Sequence, residues 1–131
     1  MVVDASAVVA MLLDEPDGAD LYDKLKKAKR LWICGLGIYE TVLALMRMND
    51  KDHDAVLATV NNFVKRHDFV CVDIDQQITA LAVEAFGIYG KGRHSAKLNM
   101  GDCFSYACAK KLGQPLLFKG NDFNKTDIKL A

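Results

Sequence analysis

The sequence predicts an α/β domain built on a mainly parallel sheet of short strands, with helices on both of its faces. Three observations predict it. Apolar runs at Met1-Val2-Val3, Leu31-Trp32-Ile33-Cys34, Phe69-Val70-Cys71-Val72 and Leu116-Leu117-Phe118 have the length of buried strands. Amphipathic segments of helical length separate each run from the next, and strands joined through helices are crossover-connected and therefore parallel. With 131 residues, 51% apolar and 26% charged, and only 9 Gly and 2 Pro, the chain excludes disorder and low-complexity character. One domain over residues 1–131 is expected, since domains usually run to about 100–150 residues.

The first run is broken by Asp4, and residues 4–13 then take helical spacing through Val8, Met11 and Leu12, with Ser6 near the start. Glu15-Pro16-Asp17-Gly18 is a loop. Residues 17–30 place acids first and bases last, which complements a helix dipole, and Leu21 and Leu25 share one face. Gly35 and Gly37 end the second strand, and a helix follows over 38–48 on a stripe of Ile38, Val42, Leu45 and Met46. Another spans about 51–67, and a further one 75–89 through Ile78, Leu81, Ala82 and Ala85. Residues 90–99 form a basic loop, 101–112 a helix closed by Gly113 as its C′ residue, and 116–118 the last strand.

Charge and cysteine content narrow the function classes. Seventeen basic side chains balance 17 acidic ones, which argues against avid, non-specific nucleic-acid binding. The balance hides segregation: residues 1–23 carry acids only, and Lys24, Lys26, Lys27, Lys29 and Arg30 follow at once. That basic run reads as a solvated helix end. No apolar run approaches the roughly 18 residues that cross a bilayer, and Met1-Val2-Val3-Asp4 is not a signal peptide, so a cytoplasmic protein without membrane association is expected. Cys34, Cys71, Cys103 and Cys108 lack C-x-x-C or zinc spacing and read as small buried thiols.

The acids carry the chemistry. Parallel sheets bind ligands outside the carboxyl ends of their strands. Asp4 directly follows the first strand, Asp122 follows the last, Asp102 opens the helix after the basic loop, and Glu40 lies early in the helix after the second strand. Carboxylates brought together repel, so some protonate or a cation neutralises them. Hard oxygen donors at this density suit Mg²⁺ or Mn²⁺, which leave positions open for phosphate. Each acid alone reads equally as a cap: Asp102 as a helix-dipole partner, Asp122 as an Asx-turn residue.

These residues sit in recognisable surroundings: Val2-Val3-Asp4-Ala5-Ser6-Ala7, then Tyr89-Gly90-Lys91-Gly92-Arg93-His94, then Leu98-Asn99-Met100-Gly101-Asp102-Cys103-Phe104-Ser105-Tyr106-Ala107. Pro115-Leu116-Leu117-Phe118-Lys119-Gly120-Asn121-Asp122-Phe123 and Thr126-Asp127-Ile128 complete the set. Over essentially its whole length the chain resembles PIN-domain ribonucleases, specifically the VapC toxins of prokaryotic VapBC toxin–antitoxin pairs. The segment 98–107 is the most specific part of the match.

The resemblance implies a PIN-like three-layer domain with four or five short strands. It implies an acidic cluster of Asp4, Glu40, Asp102 and Asp122, with Asp4 and Asp102 as direct metal ligands. Glu40 would orient a water or hold a second ion, Asp122 would complete the cluster, and Ser6 would support it. It further implies Mg²⁺, or Mn²⁺, as cofactor and hydrolysis of structured RNA such as tRNA or rRNA, leaving a 5′-phosphate and a 3′-hydroxyl. A VapB-like antitoxin and a toxin homodimer are the implied partners. Two departures stand out. The stretch 34–39 is glycine-rich where relatives carry small hydroxyls, an expected source of looser presentation of Glu40, and Ser95-Ala96 stands where many relatives place Pro.

Arg93, His94 and Lys119 are candidate RNA-phosphate contacts, against readings as solvated charge and, for His94, a structural loop histidine. Tyr39 reads as an interior aromatic rather than a base-stacking one, and His53 and His67 read as surface residues. Two competing functions remain at this point: a metal-dependent DNA nuclease, and a PIN-like binding module that acts with its antitoxin without intrinsic catalysis.

Overall fold

The structure, a computed structural model, describes residues 1–48 and 52–131. Its elements are β1 (Val2–Val3), α1 (Ala5–Leu12), α2 (Gly18–Lys27), β2 (Leu31–Cys34), α3 (Gly35–Met48), α4 (His53–Arg66), β3 (Phe69–Val72), α5 (Gln76–Tyr89), α6 (Met100–Leu112) and β4 (Leu116–Leu117). A short 3-10 turn follows at Phe123–Lys125. The four strands form one parallel sheet in the order β3-β2-β1-β4.

Alternation along the strands makes the layers. Val2, Cys34 and Leu116 face α5 and α6, where Ile78, Ala82, Ala85, Cys103, Ala107 and Cys108 complete one core. Val3, Leu31, Ile33 and Leu117 face the other way, onto Ala7, Val8 and Met11 of α1 and Leu21 and Leu25 of α2. Leu45, Val56 and Val60 form a smaller core between α3 and α4.

The strand order positions the site. From β1 the chain steps outward to β2 and β3, then returns through α5 and α6 to place β4 on the other side of β1. The sheet's winding therefore reverses between β1 and β4, and a crevice opens outside the carboxyl ends of such a strand pair. Asp4 and the segment after Leu117 lie there. Caps fix the helix starts: the Asp4 side chain accepts from Ser6 N, Asp75 from Ile78 N, and Asn99 and Asp102 form a reciprocal box at α6. Gly113 closes α6 at φ 60°, a left-handed conformation that glycine adopts without a Cβ penalty.

Several boundaries differ from the sequence reading. The second helix stops at Lys27, because Ala28 is already extended to feed β2. The third starts at Gly35 directly after Cys34, so both glycines lie inside α3 rather than in a loop. The last strand stops at Leu117, since its neighbour β1 has ended at Val3. The expected start of α4 at Lys51 lies outside the described residues.

Two side-chain readings are corrected. Cys71 is exposed, because β3 is an edge strand with half its surface uncovered; the other three cysteines are buried, and all four are free thiols. A hydrogen bond from the Cys34–Cys108 pair, together with burial, pushes the Cys108 thiol well above its usual range. His67 is not a surface residue: it is half-buried, shares a 2.7 Å hydrogen bond with the Tyr22 hydroxyl and packs on the Phe63 ring at 4.7 Å. Burial, with Arg66 close by, lowers its pKa. His53 is exposed as expected.

Candidate metal centre

Asp4 is the fixed point of the site. It ends β1, is 4% exposed, and has both carboxylate oxygens held by serines. Oδ2 accepts from the Ser6 amide at 2.9 Å and the Ser6 hydroxyl at 2.6 Å, and Oδ1 accepts from the Ser105 hydroxyl at 2.6 Å. Ser6 Oγ also accepts from the Lys119 amide at 3.0 Å, so one hydroxyl ties the end of β1 to the chain leaving β4. Three of roughly four carboxylate lone-pair sites are occupied, which fixes the direction of the one that remains.

Glu40 reaches the same place from the second turn of α3. Its carboxylate lies over Gly101 of α6, in the space that a Cβ there would fill. The glycine-rich stretch before it is helical, so Glu40 is presented from a rigid element rather than a loose one. Asp102 projects from the first turn of α6, where its Oδ2 accepts from the Asn99 amide at 2.8 Å. It is thus both a cap and a groove residue; the two readings of this acid are not alternatives. Asp122 is exposed just ahead of the 3-10 turn, on the Asp102 side.

The charges feel one another. Burial first, then Asp4, Asp102 and Cys34, raise the Glu40 pKa to about 7. Burial raises Asp102 to about 6 against the opposing Asn99 hydrogen bond, with Asp4 and Asp122 adding to the rise. Asp4, Glu40 and Asp102 floor a groove of about 380 Å³, with Tyr39, Arg47, Asn99 and Met100 also lining it. A larger hollow of about 600 Å³ opens at the sheet's opposite, amino edge among Lys24, Lys27, Lys29, Arg30 and Trp32, and among the described residues no Asp or Glu lines it. The tightest grouping of ligand-type side chains among the described residues, Asp52, His53 and Asp54, is a run of three exposed neighbours at the start of α4. The groove differs from both in drawing its three acids from three separate elements, with Glu40 and Asp102 perturbed by burial and by neighbouring acids.

The other sequence candidates are engaged elsewhere. The Lys119 ammonium is ion-paired with Glu15, and Asp17 lies 4.0 Å away. His94 accepts from the Ala96 amide at 3.1 Å and meets the Tyr89 ring edge-on, which matches its structural reading. Arg93 lies over the Phe86 ring at 5.6 Å. None of the three lines the groove. Asp127 folds back, but onto Tyr106 and Lys110 of α6 at 2.5 and 2.6 Å. Sequence reasoning missed Ser105, Gly101 and Arg47, and placed Tyr39 inside, whereas it is 57% exposed. Ser105 was findable: it stands three positions after Asp102, on the same helix face.

Ser105→Ala should therefore weaken the centre without altering its charge. Removing a 2%-exposed donor leaves Asp4 Oδ1 short of a partner. We expect about 1–3 kcal/mol lower stability and a loss of about 10–100-fold in divalent-metal affinity or activity. Thermal unfolding and Mn²⁺ titration would measure the two effects; an unchanged metal affinity would show that Ser105 does not orient Asp4.

A groove floored by carboxylates at the winding reversal of a parallel sheet marks a class of α/β proteins that hold hard divalent cations. The model of one family in that class, the PIN domain, matches residues 1–129. Ribonuclease VapC30 of Mycobacterium tuberculosis is 45% identical over 130 residues, spanning 98% of this chain and 95% of the relative. Ribonuclease VapC of Mycolicibacterium smegmatis is 39% identical over 128 residues, spanning 98% and 97%. Among solved structures, M. tuberculosis VapC20, described as a sarcin-ricin loop cleaving toxin, superposes with a TM-score of 0.78 over 99% of this chain and 97% of that one; at 12% identity it shows the shared fold. The chain belongs to the PIN-domain family, in its VapC ribonuclease branch.

Proposed function

We propose that this protein, a single PIN unit over residues 1–131, is a metal-dependent endoribonuclease toxin of the VapC type. The observation that carries the reading is the convergence of Asp4, Glu40 and Asp102, from three separate elements, on one groove where Glu40 and Asp102 hold protons to abnormally high pH.

The donor set fits a divalent cation: all oxygen, mutually repelling, and open on one side to a groove that admits phosphate. When bound, Mg²⁺ or Mn²⁺ supplies Lewis acidity at the scissile phosphoryl group and lowers the pKa of water. Asp4 and Asp102 are the direct ligands in this reading. Asp4 is pre-aimed by Ser6 and Ser105, and Asp102 by Asn99. Glu40 orients the attacking water or holds a second ion; without a cation, burial and the neighbouring acids raise its pKa to about 7, so a bound cation would favour its ionised form. Asp122 closes the exposed side. In-line attack by water leaves a 5′-phosphate and a 3′-hydroxyl.

The substrate in this reading is structured RNA such as tRNA or rRNA, met in the cytoplasm. Its partners are a VapB-like antitoxin, whose Arg can neutralise the acidic floor, and a second toxin copy in a homodimer. Among the described residues no helix is long and apolar enough to span a membrane. The test is to incubate antitoxin-free protein with total RNA, and with matched DNA, in Mg²⁺, Mn²⁺ or EDTA. We expect discrete RNA fragments that require metal. Cleavage of DNA alone would replace the substrate class, and no cleavage by folded protein under any condition would remove the enzymatic reading.

A further inference from the structure

One face of the groove has no role in holding a cation. Of the four tyrosines, Tyr22, Tyr89 and Tyr106 sit in aromatic pairs inside the fold. Tyr39 instead stands 57% exposed on the groove wall, immediately before Glu40 on α3. Met100, immediately before Gly101 on α6, is 63% exposed and lines the same groove. Because α3 and α6 meet where Glu40 overlies Gly101, that contact brings both large apolar side chains to the rim of the carboxylate floor from two different helices. Among the described residues Arg47, two turns after Glu40 on α3, is the one basic side chain lining the groove.

Each feature runs against what water alone favours. A large aromatic and a flexible thioether exposed beside a charged site present π-face and polarisable surface to whatever enters. A nucleobase in a duplex already has both of its faces stacked, whereas an unpaired one can be stacked on a side chain.

We propose that Tyr39 and Met100 receive one unpaired base of the RNA next to the scissile phosphate, while Arg47 takes a backbone phosphate further along the groove. This rests on the ribonuclease reading and narrows it: the cut falls in a loop or single strand, not within a helix. Tyr39 and Met100 are positioning groups here, acting on the base rather than on the reacting atoms.

The test uses the full chain carrying Asp102→Asn, so that RNA is bound and not cut. Its probes are a labelled unstructured oligoribonucleotide and the same strand annealed to its complement, both in Mg²⁺. We expect the parent to prefer the single strand. Tyr39→Ala should weaken single-strand binding by about 5- to 150-fold, the range for losing one base–aromatic stack, with little change on the duplex. Tyr39→Trp should restore binding, with indole fluorescence quenched by the single strand. Arg47→Gln should flatten the slope of log affinity against log salt by about 0.7.

In an otherwise wild-type chain, Mn²⁺ affinity should be the same with and without Tyr39→Ala, which separates a lost stack from a damaged centre. Single-strand binding unaffected by Tyr39→Ala, or an equal loss on both probes, would overturn the proposal. If a wild-type chain that binds Mn²⁺ neither binds nor cuts RNA, the ribonuclease reading falls and the stacking proposal falls with it. If wild type cuts RNA and Tyr39→Ala cuts it equally well at the same substrate concentrations, only the stacking proposal falls.

Discussion

Asp102→Asn should abolish metal-dependent cleavage while making the metal-free protein less sensitive to alkaline pH. The two effects have one cause. Asn keeps an oxygen to accept from the Asn99 amide, so the box at the start of α6 survives. What disappears is a negative charge that burial and neighbouring carboxylates disfavour. Losing a direct ligand forfeits several kcal/mol of transition-state stabilisation, or about 10³-fold in rate at 1.36 kcal/mol per decade.

The sign of the pH effect follows from the direction of the shifts. Glu40 and Asp102 bind protons more tightly folded than unfolded, with folded values of about 7 and about 6. Their contribution to stability is complete below the ordinary carboxylate range and is lost as pH rises through those values. The metal-free wild type should therefore melt at a lower temperature at about pH 8 than at about pH 5, and saturating Mg²⁺ should recover most of the difference. Asp102→Asn removes one of the two raised groups, so its melting temperature should fall less across that window and respond less to Mg²⁺. Retained cleavage in Asp102→Asn, or a melting temperature that depends on pH identically in Asp102→Asn and wild type in EDTA, would contradict the metal-centre reading.

What the sequence made legible was local. Asp4 could be read because an apolar run ends on it, and Asp102 because it opens the helix that follows the basic loop. Strand runs with intervening helical stripes gave a parallel sheet, and the structure adds the order that puts β4 beside β1. Glu40 could be placed early in the helix after the second strand but its face could not, since that depends on where α3 begins, and α3 begins three residues earlier than the glycines indicated. Lys119 was left open between phosphate contact and solvated charge because its ion-pair partner, Glu15, lies 104 positions away in the chain. Tyr39 was misread because neighbours on one helix take different faces, and only the crossing of α3 over α6 decides which face meets solvent. Side-chain roles set by long-range packing leave no trace in local spacing.

Gly101 is the sharpest such case, and Gly101→Ala should be far more damaging than its size implies. As a helix substitution it is favourable, since Ala exceeds Gly by about 1 kcal/mol in helix propensity. Here the added Cβ would fall within the Glu40 carboxylate. Relief requires Glu40 to swing away or α3 and α6 to part. The second costs about 1–3 kcal/mol as overpacking. The first misplaces the carboxylate by an ångström or more, which is worth about 10²-fold in rate. We expect helical content to be retained, with cleavage down by about 10²-fold or more. A double-mutant cycle isolates the cause: the stability change on Gly101→Ala should be less favourable in the wild-type background, where Glu40 must be displaced, than in one carrying Glu40→Ala, where the space over Gly101 is vacant. Equal destabilisation in both backgrounds would place the conflict in the helix packing itself. Full activity in Gly101→Ala would mean that Glu40 does its work from somewhere other than the groove floor.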